Sequence, residues 1–150
     1  MNILYLTPDF NYGDGRSYYV YLLLKYFHRT GHNVYLCTNK GDSFDRLAES
    51  GIQVYTFTPL SLKTSFIKSV GYVSDIIKKN NISLIHSHHR YYELLAVAAA
   101  GDKNVHTVFT ALSLVNKRYF VEYRSDSIIA VSRAVKDHLI EKFKVDEKTI

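Results

Sequence analysis

The sequence predicts an α/β domain in which a mainly parallel sheet is covered by helices on both faces. Two observations predict it: six apolar runs have the composition of buried strands, and most are separated by segments with helical periodicity. At 150 residues and 47% hydrophobic composition, the chain is long enough to bury one core. The strands are expected at residues 2–7, 33–38, 53–57, 83–87, 105–110 and 127–131.

Helices are expected between most of these strands, at residues 16–30, 44–50, 65–79, 91–100 and 133–143. The first helix has an apolar face that we expect to be buried, formed by Tyr19, Leu22, Leu23, Tyr26 and Phe27. Gly31 follows it, as a glycine commonly follows a helix end. The connection 112–126 receives no assigned element. This order of strands and helices is that of a Rossmann-like, doubly wound domain.

Composition and charge narrow the classes of function. The net charge of +5 comes from 19 scattered Lys and Arg residues, and no nucleic-acid-binding module is present, so we expect no nucleic-acid partner. The single cysteine, Cys37, fits a reducing compartment. Neither a signal peptide nor a membrane-spanning run is found, which predicts a cytoplasmic protein.

One basic helix face offers a further partner. Lys63, Lys68, Lys78 and Lys79 lie on or beside the third helix and could contact anionic lipid, which would make the protein peripheral at the inner face of the membrane. A solvated helix face is the ordinary interpretation of such a pattern.

The loop after the first strand is the first candidate site. Gly13 and Gly15 carry no Cβ atom that would block a ligand, and Arg16 could pair with a phosphate at the start of a helix. The alternative is a structural turn eased by glycine. A dinucleotide-binding fingerprint is not formed, because Tyr18 occupies the position of its third glycine.

The end of the fourth strand is the second candidate site. Strand alternation sends His86 and His88 to one side, while His89 and Arg90 begin the turn. Ligands of open parallel sheets bind beyond these strand ends, where imidazoles could bond sugar hydroxyls or phosphate. The alternative is a hydrogen-bonded, semi-buried His86 with the others in solvent. A metal site is not expected, because a third and fourth ligand are missing at defined spacing.

Ser132 is the third candidate, since it precedes a helix at the same sheet edge and could bind an anion or a sugar hydroxyl. Simple capping of the helix at residues 133–143 is the more economical explanation. Neither a nucleophilic serine elbow nor a phosphate-loop ATPase motif is present in the sequence.

Four segments in order resemble the N-terminal domain of retaining GT-B glycosyltransferases, the large family 4-like group of bacterial mannosyl- and glucosyltransferases. They are residues 13–15, 29–34, 84–88 and 128–135. The resemblance implies two Rossmann-like domains facing across a cleft, the first for the acceptor and the second for a nucleotide-sugar. It further implies that this chain is the acceptor-side domain, inactive alone, and that its own C-terminal domain is absent from the chain.

The resemblance also implies roles for individual residues. Gly13 and Gly15 would approach the diphosphate of the donor, and His86 and His88 would line the acceptor side. No cofactor or metal ion is implied. Many relatives place a histidine two residues after a threonine in the next strand, but Phe109 and Leu112 hold the equivalent positions here, so no catalytic residue is assigned.

The predicted function is transfer of a hexose from a nucleotide-sugar to a glycan or lipid-linked acceptor, with retention of configuration. Two alternatives are a non-catalytic, flavodoxin-like ligand-binding domain and a sugar-nucleotide epimerase or dehydrogenase domain. The dehydrogenase alternative is weakened by the missing third glycine and by the lack of an acidic residue after the second strand.

Overall fold

The computed structural model describes residues 1–48, 50–57, 63–101, 104–119 and 121–150. Six strands are described, which are β1 (Asn2–Phe10), β2 (Asn33–Gly41), β3 (Gln53–Thr56), β4 (Leu84–Ser87), β5 (His106–Ala111) and β6 (Ser127–Ala130). The helices are α1 (Gly15–Arg29), α2 (Asp45–Ala48), α3 (Lys63–Asn80), α4 (Arg90–Ala100) and α5 (Arg133–Phe143), followed by a 3₁₀ turn at Glu147–Thr149.

All six strands run parallel in one sheet with the order β3-β2-β1-β4-β5-β6. Leu4 lies at the centre, opposite Tyr35 on one side and Ile85 on the other. The order reverses direction between β1 and β4, which is the point where doubly wound sheets open a crevice beyond their strand ends. The predicted α/β, Rossmann-like fold is confirmed.

The core forms on both faces of the sheet. On one face, Leu4, Leu6 and Ile85 pack against buried residues of α3 and α4 such as Val73 and Leu95. On the other, strand residues of the opposite parity pack against α1 in a second cluster. A third cluster, beneath α5, joins it to β5 and β6. These contacts fix the strand ends that form the candidate site.

The buried face of α1 differs from the predicted one. Val20 and Leu24 are fully buried, whereas Leu22 is 45% exposed and Tyr26 is 62% exposed. Leu23 and Phe27 are partly buried, as the predicted face requires. The prediction was wrong for Leu22 and Tyr26 because α1 is apolar almost all round, so its periodicity allows two overlapping stripes.

Strands β1 and β2 extend three residues beyond the predicted ends, because Asp9 pairs with Lys40 and Phe10 pairs with Gly41. Pro8 cannot donate a backbone hydrogen bond, but the pairing of β1 with β4 ends at Leu6. Pro8 therefore lies where the strand has one neighbour, a position that tolerates proline.

The other boundaries lie within two residues of the predicted ones, and α5 has the predicted bounds. The predicted helix 44–50 is described as α2 over Asp45–Ala48, with Ser50 in a turn, and Glu49 lies outside the described residues. The described residues of the connection 112–126 form neither helix nor strand.

Gly41 is required by the close approach of β1 and β2. A Cβ atom added there would clash with the backbone oxygen of Phe10, which accepts hydrogen bonds from the Ser43 N–H and the Ser43 hydroxyl and cannot move without breaking them. We expect Gly41→Ala to lower the free energy of unfolding by about 2–3 kcal/mol in urea titrations, the typical cost of forced overpacking. Gly71→Ala is the matched control, because nothing lies within 4 Å of that added atom. Equal stability of the two variants would contradict the prediction.

Candidate functional site

A cleft of about 670 Å³ lies beyond the carboxyl ends of the central strands. Three segments form its walls: the first turn of α1, the junction of β4 with α4, and the end of β5 with the connection that follows it. The lining comprises Gly15, Arg16, His88, His89, Arg90, Phe109, Thr110, Ala111, Leu112, Ser113, Val115, Asn116, Lys117, Tyr119 and Tyr123. The cleft therefore contains five of the residues that the sequence singled out.

The N-cap of α1 fixes the first turn of the helix, which faces the cleft. Asp14 is the N-cap, and its Oδ2 accepts hydrogen bonds from the Ser17 N–H at 3.0 Å and the Ser17 hydroxyl at 2.6 Å. A Cβ atom at Gly15 would meet nothing within 4 Å, so the space above this residue is open. Gly13 has a φ of +69° and lines a neighbouring concavity with Tyr18, which Gly15 also borders. Of the two glycines, Gly15 is the one that lines the cleft.

Arg16 lines the cleft with a guanidinium whose hydrogen-bonding capacity is only partly used. Its side chain is 25% exposed, and its Nη2 lies 3.8 Å from Asp9 Oδ2 and 3.6 Å from Asp14 Oδ2, which is longer than a good hydrogen bond. Its Nε is buried without a hydrogen-bond partner among the described residues. A guanidinium carries five donors, so Arg16 retains capacity to bind an anion.

His86 and His88 lie side by side, with ring centroids 4.3 Å apart. They are only 6% and 3% exposed. His86 Nε2 lies 2.7 Å from the Thr110 hydroxyl, behind the wall of the cleft. The His88 ring stacks on Tyr5 and meets the edge of Tyr19, at centroid distances of 6.0 and 5.7 Å. His88 lines the cleft, whereas His86 supports it.

Burial holds both imidazoles in the neutral form. It lowers the pKa of His86 to about 4. Burial, and then the charge of His86, lowers the pKa of His88 well below its usual value. Neither ring nitrogen of His88 has a hydrogen-bond partner in the described part of the chain. A neutral imidazole offers one donor and one acceptor, which suits a ligand hydroxyl.

The buried histidines predict acid sensitivity of the fold. The pKa of His86 is about 6.5 in the unfolded chain and about 4 in the folded one. The unfolded state therefore binds more protons between these values, and stability that is complete above pH 6.5 is lost as the pH falls toward 4. At pH 5 the loss from His86 is about 2 kcal/mol.

In urea titrations, the free energy of unfolding should fall by about 2 kcal/mol less in His86→Gln than in the parent chain between pH 7.5 and pH 5. Gln keeps a donor and an acceptor near Thr110. The exposed His28 provides the control variant, His28→Gln, which should retain the decline of the parent chain. A parallel pH dependence in the His86 variant and the parent would count against the neutral, buried imidazole.

His89 and Arg90 form the start of α4. His89 is the N-cap, and its Nδ1 accepts a hydrogen bond from the Tyr91 N–H at 3.2 Å. Burial, then the charges of Arg16 and Arg90, lowers the pKa of His89. Arg90 forms an ion pair with Glu122, and its guanidinium lies over the Tyr119 ring at 4.4 Å. Arg90 therefore ties the connection 112–126 to α4 and is less available to a ligand than Arg16.

Glu93 also holds the connection 112–126 in place. It is fully buried, and its carboxylate accepts hydrogen bonds from the N–H groups of Tyr123, Arg124 and Ser125 at 3.1, 2.5 and 3.0 Å. The Ser125 hydroxyl donates a fourth at 3.3 Å. Sequence reasoning missed this residue, although a lone acid within an otherwise apolar helix was a readable signal.

Ser132 lies at the carboxyl end of β6 but outside the cleft. Its Oγ accepts a hydrogen bond from the Val135 N–H at 3.3 Å, so it caps α5. It lines a separate concavity with Arg133, Lys136 and Glu147. The structure thus brings Gly15, Arg16, His88, His89 and Arg90 together and leaves Ser132 apart from them.

Further candidates concern metals and membranes. The described residues hold no group of three or more metal-ligating side chains that could bind an ion. None of the helices described has the combined length and apolar character that a bilayer crossing requires. Lys68, Lys78 and Lys79 are exposed on α3, while the side chain of Lys63 lies outside the described residues.

The sequence matches the model of one protein family, Glycosyltransferase Family 4, over residues 13–150. No curated protein matches the chain.

Solved structures share the fold. A glycosyltransferase from Rickettsia africae superposes with a TM-score of 0.85 at 22% identity, covering 99% of this chain and 41% of its own. The lipopolysaccharide outer core galactosyltransferase WaaB superposes with a TM-score of 0.75 at 16% identity, covering 100% and 44%. The UDP-GlcNAc 2-epimerase of Neisseria meningitidis, bound to UDP-GlcNAc, gives 0.67 at 13% identity, covering 99% and 44%. The chain spans about two-fifths of the length of these structures.

Proposed function

The chain belongs to glycosyltransferase family 4, and we propose that it forms the acceptor-side half of a GT-B enzyme. This enzyme transfers a hexose from a nucleotide-sugar to a glycan or lipid-linked acceptor, with retention of the anomeric configuration. A second, nucleotide-sugar-binding domain completes the active site in this proposal. The galactosyltransferase among the solved structures of the same fold supports a hexose donor.

One observation carries the proposal. Gly15, Arg16 and His88 line the same cleft, at the point where the strand order reverses between β1 and β4. A sugar diphosphate and its hydroxyls can be bound by a glycine with open space beside it, by a guanidinium whose carboxylate partners lie beyond hydrogen-bond distance, and by a neutral imidazole whose buried ring nitrogens have no partner among the described residues. The cleft opens beyond the strand ends, where ligands of this class of sheet bind.

The proposed roles follow from charge. As the bond between the sugar and the diphosphate breaks, negative charge grows on the leaving phosphate. Arg16 and the positive end of the α1 dipole stabilise that charge, and the absent side chain of Gly15 lets the phosphate approach. His88 orients a sugar hydroxyl through its neutral ring. Arg90 acts by fixing the position of the connection 112–126, since Glu122 already balances its charge.

The proposal includes the cellular compartment in which the enzyme acts. Cys37 is a buried free thiol, and reducing compartments keep thiols free. We therefore place the enzyme in the cytoplasm.

Epimerisation of a sugar-nucleotide is the second candidate function, because a UDP-GlcNAc 2-epimerase shares the fold over 99% of this chain. An epimerase and a transferase differ in one requirement: the transferase consumes an acceptor, whereas the epimerase converts the nucleotide-sugar alone. Acceptor dependence therefore separates the two.

The test uses the complete enzyme, in which this chain is joined to a nucleotide-sugar-binding domain. A panel of UDP- and GDP-hexoses is incubated with and without glycan and lipid-linked acceptors, and the release of nucleoside diphosphate is measured. We expect release that depends on acceptor, a product with the anomeric configuration of the donor by NMR, and no turnover by residues 1–150 alone. Conversion of UDP-GlcNAc to its epimer without acceptor would support the second candidate instead.

A further inference from the structure

A second pocket of about 350 Å³ opens beside the cleft. Its lining comprises His89, Arg90, Tyr91, Leu94, Tyr119 and Val121. Three of these residues, His89, Arg90 and Tyr119, also line the cleft. The pocket therefore adjoins the cleft along these three residues.

The apolar walls of the pocket come from α4 and from described residues of the connection 112–126. Tyr91 and Leu94 lie three residues apart on α4, so they share one helix face. The edge of Phe66 in α3 supports the Tyr91 ring, with centroids 6.1 Å apart. The opposite wall, Tyr119 and Val121, belongs to the connection 112–126. Both side chains remain substantially exposed, at 53% and 39%.

The connection that carries Tyr119 and Val121 is anchored on both sides of the pocket. The Tyr119 N–H donates to Glu122 Oε2 at 3.2 Å, and the same carboxylate pairs with Arg90. The backbone of the next residues binds the buried Glu93. The pocket is thus preformed, which lowers the entropic cost of filling it.

The pocket and the cleft differ in the charge of their lining residues. Among the described residues that line the pocket, Arg90 is the one with a permanent charge, and its guanidinium is engaged by Glu122. The cleft carries Lys117 in addition, besides the Arg16 that the proposed function assigns to the donor diphosphate. A ligand that suits both compartments has an anionic head for the cleft and an uncharged, apolar chain for the pocket.

We propose that this pocket binds the apolar chain of a lipid-linked acceptor whose phosphate lies in the cleft. The inference rests on the proposed function and narrows it, because the hydroxylated surface of a free glycan buries far less apolar area in such a pocket than an alkyl chain does. Each methylene group that leaves water tightens binding about fourfold. Affinity should therefore depend on chain length until the pocket is full.

The first test measures binding to the chain itself. n-Butyl, n-octyl and n-dodecyl phosphate, each below its critical micelle concentration, are titrated by calorimetry beside inorganic phosphate. We expect one site per chain and a dissociation constant that falls at least a hundredfold from butyl to octyl phosphate. An affinity that does not change with chain length would overturn the inference.

A matched pair of valines separates the pocket from general surface adsorption. Val121 lines the pocket and is 39% exposed, whereas Val131 is 47% exposed and is not among its lining residues. Val121→Asn should weaken octyl phosphate binding at least tenfold and leave the binding of inorganic phosphate unchanged. Val131→Asn should bind both probes as the parent does. Equal loss in both variants would show adsorption and refute the site.

Further outcomes distinguish other occupants of the pocket and test the proposed function itself. If the chain forms a dimer that Val121→Asn dissociates, the pocket is an interface between copies and the inference fails. In the complete enzyme, Val121→Asn should reduce transfer to a lipid-linked acceptor and spare transfer to a free glycan. If the enzyme uses free glycans alone, the inference fails while the proposed function stands. If alkyl phosphates bind but nucleotide-sugars are never consumed, the proposed function fails instead.

Discussion

Glu93→Ala is expected to lower the free energy of unfolding by about 3–5 kcal/mol. The carboxylate is fully buried and accepts hydrogen bonds from the backbone of Tyr123, Arg124 and Ser125. Alanine removes every acceptor and leaves these donors without a replacement. A buried donor without a partner costs about 1–3 kcal/mol, and Tyr123 and Ser125 are both buried.

Urea unfolding measures this loss, and two further variants serve as comparisons. Glu93→Gln retains one acceptor oxygen but turns an amide N–H₂ group toward another donor, so it should fall between the parent and the alanine variant. Glu141→Ala, on the exposed side of α5, is the control and should change stability by less than about 0.5 kcal/mol. A loss below about 1 kcal/mol in Glu93→Ala would mean that water or a rearranged backbone satisfies the three donors.

The effect of Glu93 extends from stability to the cleft. The connection it anchors supplies Tyr119 and Tyr123 to the cleft lining. Amide hydrogen exchange at residues 121–126 should therefore be faster in Glu93→Gln than in the parent chain, under conditions where exchange in β1 is the same in both. Ligand affinity at the cleft should fall in the same variant at temperatures where the sheet is still folded. This ordering would separate local loss of the wall from global unfolding.

The sequence was sufficient for the elements whose signals are local. The periodicity of buried strands and the glycine after α1 are properties of a few neighbouring residues, and the predicted strands and helices are present in the structure. What it could not supply depends on contacts between distant segments. Strand β1 continues to Phe10 because Gly41 lies beside it, and no local pattern around Pro8 indicates that pairing.

The same distinction applies to the site. Residues at strand ends were predictable, because the edge of a parallel sheet collects them. His88 and Arg16 are found at one cleft for this reason. Asn116, Lys117 and Tyr119 were not predictable, since they lie in a connection without periodicity whose path is set by the buried Glu93 and by the pair of Arg90 with Glu122.

Gly15→Val is expected to reduce kcat/KM for the nucleotide-sugar by a factor of about 100 or more in the complete enzyme, without loss of stability. The two effects separate because of where the added atoms go. A Cβ atom at Gly15 meets no protein atom within 4 Å, and the residue begins α1 without a left-handed backbone. The free energy of unfolding should therefore stay within about 1 kcal/mol of the parent.

Gly15 lines the cleft, and a valine side chain there adds bulk at the cleft wall. In the proposed function the diphosphate approaches the first turn of α1 there, so the branched side chain holds it away from the backbone N–H groups and from Arg16. Losing one such donor typically costs a factor of about 100–1,000 in rate. Gly15→Ala adds a smaller group and should give an intermediate loss, while Gly71→Val, on α3 away from the cleft, should leave the kinetics unchanged.

The pattern across these variants decides where the phosphate lies. A graded loss from Gly15 to alanine to valine, carried by kcat/KM with stability preserved, is a steric effect on the ligand. A loss shared with Gly71→Val would indicate a general effect on the fold. Unchanged kinetics in Gly15→Val would mean that the diphosphate binds elsewhere. Arg16 would then be a structural partner of Asp9 and Asp14, and not a ligand for the donor.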